Sequence, residues 1–353
     1  MRVAIMGCGS MGTILGAFLN KGGCSADMID NYQAHVEVMN KKGARVIGFA
    51  DECIPVHAIT PDQMQGEYDL IFLFTKQTTN DEVLPNVAAH LKADGTVCTL
   101  QNGVPEPYVA KYIGNERTVG GTVMWSATFN HPGVSELTQD LRTLDHYFAI
   151  GEIDGRVTER IKKVADVLNL MGKTEITTQL MASRWQKLIY NACVSGMSAA
   201  LGATFGYVVT HSKANACAVQ IAGEVKLCCE AEGYKLGPLL NGYSPDFFAI
   251  EDEDQYRKAQ MIFYNMYQVA LNAKASMLQD LEKGRKSEVS MINGYVCGVG
   301  RRHGIPTPFC DCVVDIVSKI EKKELPLSID NIRFFQDNWF KYNPADPHNI
   351  SQE

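Results

Sequence analysis

In the stretch SRWQKLIYNACVSGMSAAL, Lys187, Asn191 and Ser195 follow one another at i, i+4 and i+8. On a helix that spacing puts all three on one face. Their neighbours Leu188, Ile189, Ala192, Cys193 and Val194 are apolar. A polar stripe on an otherwise buried helix must line a wet cavity or find polar partners. A lysine against an apolar wall has its pKa pushed down, toward the range in which an ammonium group serves as a general acid. The same residues also fit a plainer arrangement, with Lys187 at an exposed helix end and Asn191 as a satisfied core amide.

A second polar set lies in ASMLQDLEKGRKSEVSMINGY. On one straight helix Ser276 and Glu288 would be about 18 Å apart, too far to serve one site. Gly284 offers a helix stop and Ser287 a fresh N-cap, so a turn there lets Ser276 and Glu288 converge. The alternative is that Glu288 merely decorates a helix N-terminus, where negative charge is favoured.

A third group opens the chain. VAIM runs into GCGSMG, with Gly7, Gly9 and Gly12 between an apolar strand-like run and a helical pattern. In that context the first glycine permits a tight turn and the second lets backbone approach a pyrophosphate. The third lets the helix pack closely on the strand. The helix N-terminus adds free N–H groups and partial positive charge. The second strand ends MIDNY, with Asp30 where an acidic residue holds the ribose hydroxyls of a dinucleotide. No arginine follows to accept a 2′-phosphate, which favours NAD over NADP. Asp is also a common turn residue at such a place.

These residues need a particular frame. In the first half, RVAIM, SADMI, YDLIFLFT and TVCTL read as strands. MGTILGAFLNKG, TTNDEVLPNVAAHLK and VTERIKKVADVLNLMG read as helices. That alternation implies crossovers and a mostly parallel sheet. GGTVMWSATF, GVSELT and HYFAIGE follow closely enough to form an antiparallel sheet edge. Beyond about residue 177 helical patterns dominate, over 180–207, 214–232, 254–281 and 287–302. The expected fold is α/β: a doubly wound dinucleotide-binding sheet over 1–175, then an all-α catalytic domain over 176–324. A C-terminal extension over 325–353 carries Ile332, Phe335, Trp339 and Tyr342 at roughly helical spacing.

The bulk properties agree. A chain of 353 residues suits two domains, and an apolar fraction of 46% suffices for a sizeable core. A net charge of -7 without a basic run argues against a nucleic-acid partner. The 11 cysteines lack metal-like spacing and their odd number argues against a disulfide framework, so a reducing cytoplasm is expected. The opening residues read as a strand rather than a signal peptide. The charge-free run from 188 to 212 is long enough to span a bilayer, but its polar residues and glycines favour a buried, interrupted helix pair.

The motifs together resemble the ketopantoate reductase (2-dehydropantoate 2-reductase) family from about residue 1 to 319. GCGSMG is similar to its dinucleotide loop, which brings Cys8, Ser10 and Met11 into the cofactor site with the glycines. LFTKQTT places Thr75 and Lys76, and LQNGV places Asn102, at the cofactor side of the cleft. WQKLIYNA and SMLQDLEKGRKSEVSMINGY resemble the catalytic helix and the substrate-binding segment. The resemblance implies reduction of a 2-oxo acid to the D-2-hydroxy acid with hydride from NADH or NADPH. Lys187 would be the general acid, and Glu288 would hold the hydroxyl end of the substrate. Asn191 would bind substrate and Ser276 its carboxylate, with Ser195 and Asn102 in the same site. Asn31 stands where NADP-preferring members carry arginine, which again favours NADH. Ser195 and Ala273 replace asparagines, which opens the choice to other branched or aromatic 2-oxo acids. The expected partners are that small molecule and a second copy of the chain in a homodimer, with no metal, nucleic acid or membrane. Two rivals are a 3-hydroxy acid dehydrogenase, which would bring a Gly-Gly loop before the lysine helix, and a non-catalytic dinucleotide sensor. The joint presence of Lys187, Asn191, Ser276 and Glu288 argues against the sensor.

Overall fold

In the computed structural model, residues 1–250 and 252–336 are described. The chain divides into two compact units, Met1–Leu180 and the remainder from Met181. The first contains strands β1 (Val3–Met6), β2 (Ala26–Ile29), β3 (Ala44–Gly48), β4 (Glu52–Ile54), β5 (His57–Ile59) and β6 (Tyr68–Leu73). They are followed by β7 (Leu91–Thr99), β8 (Thr118–Val123), β9 (Ala127–His131), β10 (Val134–Leu137), β11 (Phe148–Glu152) and β12 (Thr174–Ile176). Its helices are α1 (Ser10–Lys21), α2 (Gln33–Lys42), α3 (Asn80–Ala89), α4 (Glu106–Ile113) and α5 (Glu159–Leu168).

Eight strands form one sheet in the order β12-β11-β8-β7-β6-β1-β2-β5. Every neighbouring pair is parallel except β8 with β11. Alternate side chains of the central strands feed two cores. Ile5, Phe72 and Cys98 pack to one face with α1 and α5, while Met6, Leu73 and Val97 pack to the other with α3 and α4. Strands buried on both faces read as continuous apolar runs, which is why β1 and β6 were legible. The chain leaves β1 toward β2 on one side and returns to β6 on the other. Loops diverge at that point, which opens a crevice at the carboxyl ends of β1 and β6.

A second sheet, β4-β3-β10-β9, was not anticipated. The run GGTVMWSATF, read as one strand, is split between the two sheets. Buried Trp125 makes the corner, its ring meeting Phe148 edge-on at 6.1 Å. Strands of three to five residues such as β3, β4 and β5 carry too few turns of the alternation to stand out.

The second unit contains α6 (Leu180–Tyr190, entering from the first unit), α7 (Gly196–Leu201), α8 (Phe205–Thr210), α9 (Ser212–Ala231) and α10 (Glu253–Tyr267). It continues with α11 (Ser276–Glu282), α12 (Asn293–His303) and α13 (Pro308–Glu321). The 20-residue α9 is its axis, packed by α8, α10, α12 and α13. The pattern over 180–207 is interrupted as expected, by a π turn at Asn191–Ser195 and by Gly202 in the left-handed conformation. The pattern over 254–281 is not one helix. The carbonyls of Leu271 and Ala273 accept from Gly206 and Phe205 of the α8 turn, so they are lost to helix continuation. Among the described residues no helix is long and apolar enough to cross a membrane. The start of the extension packs on α7, where Asn331 donates to the Ala200 carbonyl at 3.0 Å. Trp339 and Tyr342 lie outside the described residues.

Candidate functional site

The glycine loop is shaped by contacts that forbid side chains at two of its three glycines. Gly7 has φ +96, and a Cβ there would lie 2.6 Å from the Thr75 nitrogen. A Cβ on Gly12 would lie 2.1 Å from the Gly7 carbonyl oxygen. Gly9 differs: it is exposed, and a Cβ there would meet nothing within 4 Å. Gly9 is also the N-cap of α1, and neither a side-chain cap nor an acidic first-turn residue occupies the helix end. The first-turn N–H groups at Ser10 and Met11 therefore face a bare, open cradle with positive helix-end potential. That arrangement fits a pyrophosphate.

Asp30 is fixed at the end of β2 by two bonds. One carboxylate oxygen accepts from the Cys8 N–H at 2.8 Å and the other from the Tyr32 N–H at 2.9 Å. Cys8, expected among the cofactor contacts, is tied to Asp30 by this bond. Its N–H is committed to Asp30, and its thiol is buried with the sulfur toward the Ile5 carbonyl. Asp30 is thus a clamp on the loop as well as a negative charge at the ribose end. Asn31 is exposed beside it.

Two further residues hold these loops and were missed in the sequence. His35 of α2 is buried; its Nδ1 accepts from the Gly133 N–H at 2.8 Å, so its proton sits on Nε2, facing the Cys8 carbonyl at 2.8 Å. Burial lowers its pKa and keeps it neutral. Gln101 donates to the Thr75 carbonyl at 2.7 Å and to Asn80 Oδ1 at 2.8 Å, tying the β6 loop to the end of β7. Gln77 donates to the Asn102 carbonyl. Lys76 and Asn102 thus stand on two linked loops at the ends of adjacent parallel strands. The sequence held no signal for His35, because its partner Gly133 lies 98 positions away. Gln101 was within reach, since it adjoins Asn102 in LQNGV.

In the second unit Lys187 is half-buried on α6. Its pKa is pushed down to about 8, first by burial and then by the positive charge of Arg184, with Glu288 opposing. Lys187 and Glu288 are therefore within electrostatic reach. Glu288 is itself buried and precedes a single turn of 3-10 helix, Val289–Met291. Gly284 at φ +64 follows the end of α11, in line with the expected stop. The Ser287 hydroxyl accepts from the Val289 N–H at 3.3 Å, but the N-cap of that 3-10 turn is Glu288, and α12 begins only at Asn293. Ser276 is exposed at the first position of α11, which packs against α7 and the π turn. The i, i+4, i+8 stripe needs correction at its end. The π turn begins at Asn191, and its wider winding changes the phase of the residues beyond it. Asn191 is half-buried, whereas Ser195 is buried as the N-cap of α7. Lys274, which could have served the substrate in place of the missing amides, is paired with Glu282 at 2.6 Å. Arg184, buried one turn before Lys187, carried no distinguishing pattern in the sequence.

Among known proteins, a 2-dehydropantoate 2-reductase of Streptococcus pyogenes is 26% identical over 332 residues, covering 93% of this chain and 100% of that one. The solved structure of D-mandelate dehydrogenase with NADH and anilino(oxo)acetate shares the fold, with TM-score 0.77 at 22% identity, covering 92% of this chain and 99% of that one. A dimeric ketopantoate reductase from Staphylococcus aureus does so with TM-score 0.71 at 17% identity, covering 92% and 100%. The family profile described as ketopantoate reductase PanE/ApbA matches residues 3–152, and its C-terminal counterpart matches residues 179–321. These two matches, which span most of the chain, identify it as a member of the ketopantoate reductase family.

Proposed function

We propose that this chain is an NAD(P)H-dependent oxidoreductase that reduces the 2-carbonyl of a 2-oxo acid to a D-2-hydroxy acid. The observation that carries the reading is Lys187, titrating near pH 8 with Glu288 in reach, in a chain whose first unit carries a bare glycine cradle. When bound, the nicotinamide supplies hydride to C2. Lys187 Nζ donates its proton to the carbonyl oxygen as negative charge develops there, and its cationic form stabilises that charge before transfer. The neutral amine then takes a proton from water. One 2-oxo acid, one reduced nicotinamide and one proton give one 2-hydroxy acid and one oxidised nicotinamide. Glu288 supports the ammonium form and takes the hydroxyl end of the substrate. Asn191 and Ser276 bind substrate, Ser276 at the carboxylate, with Ser195 and Asn102 lining the same site. Lys76, Thr75 and Asn102 serve the cofactor side.

NADH is the preferred cofactor, supported by the fixed carboxylate of Asp30 and by Asn31 in place of an arginine. The substrate is a branched 2-oxo acid. Ser195 and Ala273 supply less hydrogen bonding than amides, and a substrate hydroxyl buried without its partner costs about 1–3 kcal/mol. An apolar acid such as 2-oxoisovalerate should therefore compete with ketopantoate. The enzyme works as a homodimer in the cytoplasm, where its 11 cysteines, all free in the fold, stay reduced. Oxidation of NADH and NADPH against a panel of branched and aromatic 2-oxo acids tests the reading. Turnover of none of them would overturn it, and a ketopantoate preference above roughly 100-fold would mark ketopantoate as the proper substrate despite the substitutions.

A further inference from the structure

The π turn beside Lys187 is met by a side chain from another helix. Around Gly196 the backbone N–H groups donate to the carbonyls of Asn191 and Cys193. The Ala192 carbonyl between them accepts from Nδ2 of Asn293, at 3.0 Å. Asn293 is fully buried, the first residue of α12, and reaches across 101 positions of sequence. Its other amide atom, Oδ1, lies against Gly196, where a Cβ would stand 2.7 Å away. Gly196 is thus a glycine that makes room for a carboxamide. That oxygen is buried with no hydrogen-bond partner, while Nδ2 also lies 3.8 Å from the Cys310 sulfur.

The two ends of this bridge matter. Asn293 follows the Glu288–Ile292 turn directly, and the Glu288 carbonyl accepts from the Met291 and Ile292 N–H groups at 2.9 and 3.0 Å. Ala192 follows Asn191 on the segment that begins one turn after Lys187. One carboxamide therefore joins the segment carrying Glu288 to the segment carrying Lys187 and Asn191. Single π turns inside α-helices recur at functional sites because they re-aim side chains without breaking the helix.

We propose that Asn293 is a positioning residue: by holding the Ala192 carbonyl in the π turn, it sets the separation of Glu288 from Lys187 and the direction of Asn191. The proposal rests on the reductase reading of the site. Arg184 and Glu288 both act on the Lys187 ammonium, in opposite directions. Loss of the bridge loosens Glu288 and leaves the repulsion of Arg184, so the ammonium gives up its proton at lower pH.

The test compares Asn293→Ala and Asn293→Asp with wild type in steady-state kinetics across pH, with NADH affinity measured separately by titration. The expected result is a fall in kcat of roughly tenfold or more and a basic limb moved down by about half a pH unit, with the Kd for NADH within about twofold of wild type. Gly196→Ala removes no hydrogen-bonding group but presses on the same carboxamide. It is expected to move the limb in the same direction, and it decides the matter if the Asn293 variants do not fold. Folded variants with wild-type kinetics overturn the proposal. So does a loss of kcat with the basic limb unmoved, which would mark Asn293 as structural only. A wild-type protein that binds NADH yet reduces no 2-oxo acid overturns the reductase reading, and this role with it.

Discussion

Lys187 makes the sharpest claim at the scale of a residue. Its ammonium is the acid, so turnover should fall as pH rises through its pKa of about 8, and a kcat profile should show that basic limb. Lys187→Ala should lower kcat by roughly 10² to 10⁴ while leaving NADH affinity unchanged. A variant within a few-fold of wild type would make the lysine structural. The same group affects stability in the opposite sense. Its folded pKa lies below the unfolded one, so the folded state binds fewer protons between about 8 and 10.5, and its contribution improves as pH rises through that window. Asp30 and Asn31 carry the cofactor choice. Removing Asp30 would also release the Cys8 and Tyr32 N–H groups and disturb the loop for either cofactor. Asn31 is exposed, and Asn31→Arg is the cleaner test. It should shift the NADH to NADPH ratio of kcat/KM by roughly tenfold toward NADPH. A wild-type ratio of one or less, or no shift in the variant, would remove these residues from cofactor selection.

The glycine loop is the element whose parts can be separated by experiment. Gly9→Ala adds a methyl group to open space at φ -64, which any residue adopts, so thermal stability should be unchanged. That methyl group enters the cradle, and the Kd for NADH should rise roughly tenfold or more. Gly12→Ala drives a Cβ into the Gly7 carbonyl and should lower the melting temperature as well as affinity. Equal effects of the two substitutions on stability would show that the loop's shape has been misassigned. The π turn is the corresponding element of the second unit. Its helical pattern was visible in the sequence, but the phase change at Asn191 was not. The residue that stabilises it lies on another helix.

At the scale of the whole molecule, the second unit is knit through a buried carboxylate. Glu224 of α9 accepts from the Phe309 and Cys310 N–H groups, both at 2.8 Å, and so caps α13. Burial nevertheless outweighs these bonds and pushes its carboxyl up to about 7. The folded state then holds a proton that the unfolded state has released. The stability from this group is fully present below the unfolded pKa and is lost as pH rises through about 7. Glu224→Gln removes the titration. In urea unfolding, the stability of the variant relative to wild type should improve by about 2 kcal/mol between pH 5.5 and pH 8. A constant difference across that range would show that Glu224 titrates as an ordinary carboxyl.

The sequence by itself determined whatever local rules carry. The doubly buried strands β1 and β6 appear as apolar runs, the glycine spacing announces a close backbone approach, and Gly284 marks a helix stop. Lys187 could be named as chemistry because a charged residue among apolar ones demands a reason, whereas the role of Glu288 came from the family resemblance. Tertiary structure decided the rest. The second sheet depends on strands too short to show a period and on a corner made by Trp125. The service of Asp30 to the loop, the fixed tautomer of His35 and the π turn held by Asn293 are each made by groups far apart along the chain. A hydrogen bond of 3.0 Å between residues 101 positions apart leaves no mark on composition or periodicity. It exists only once burial has removed water as the competing partner.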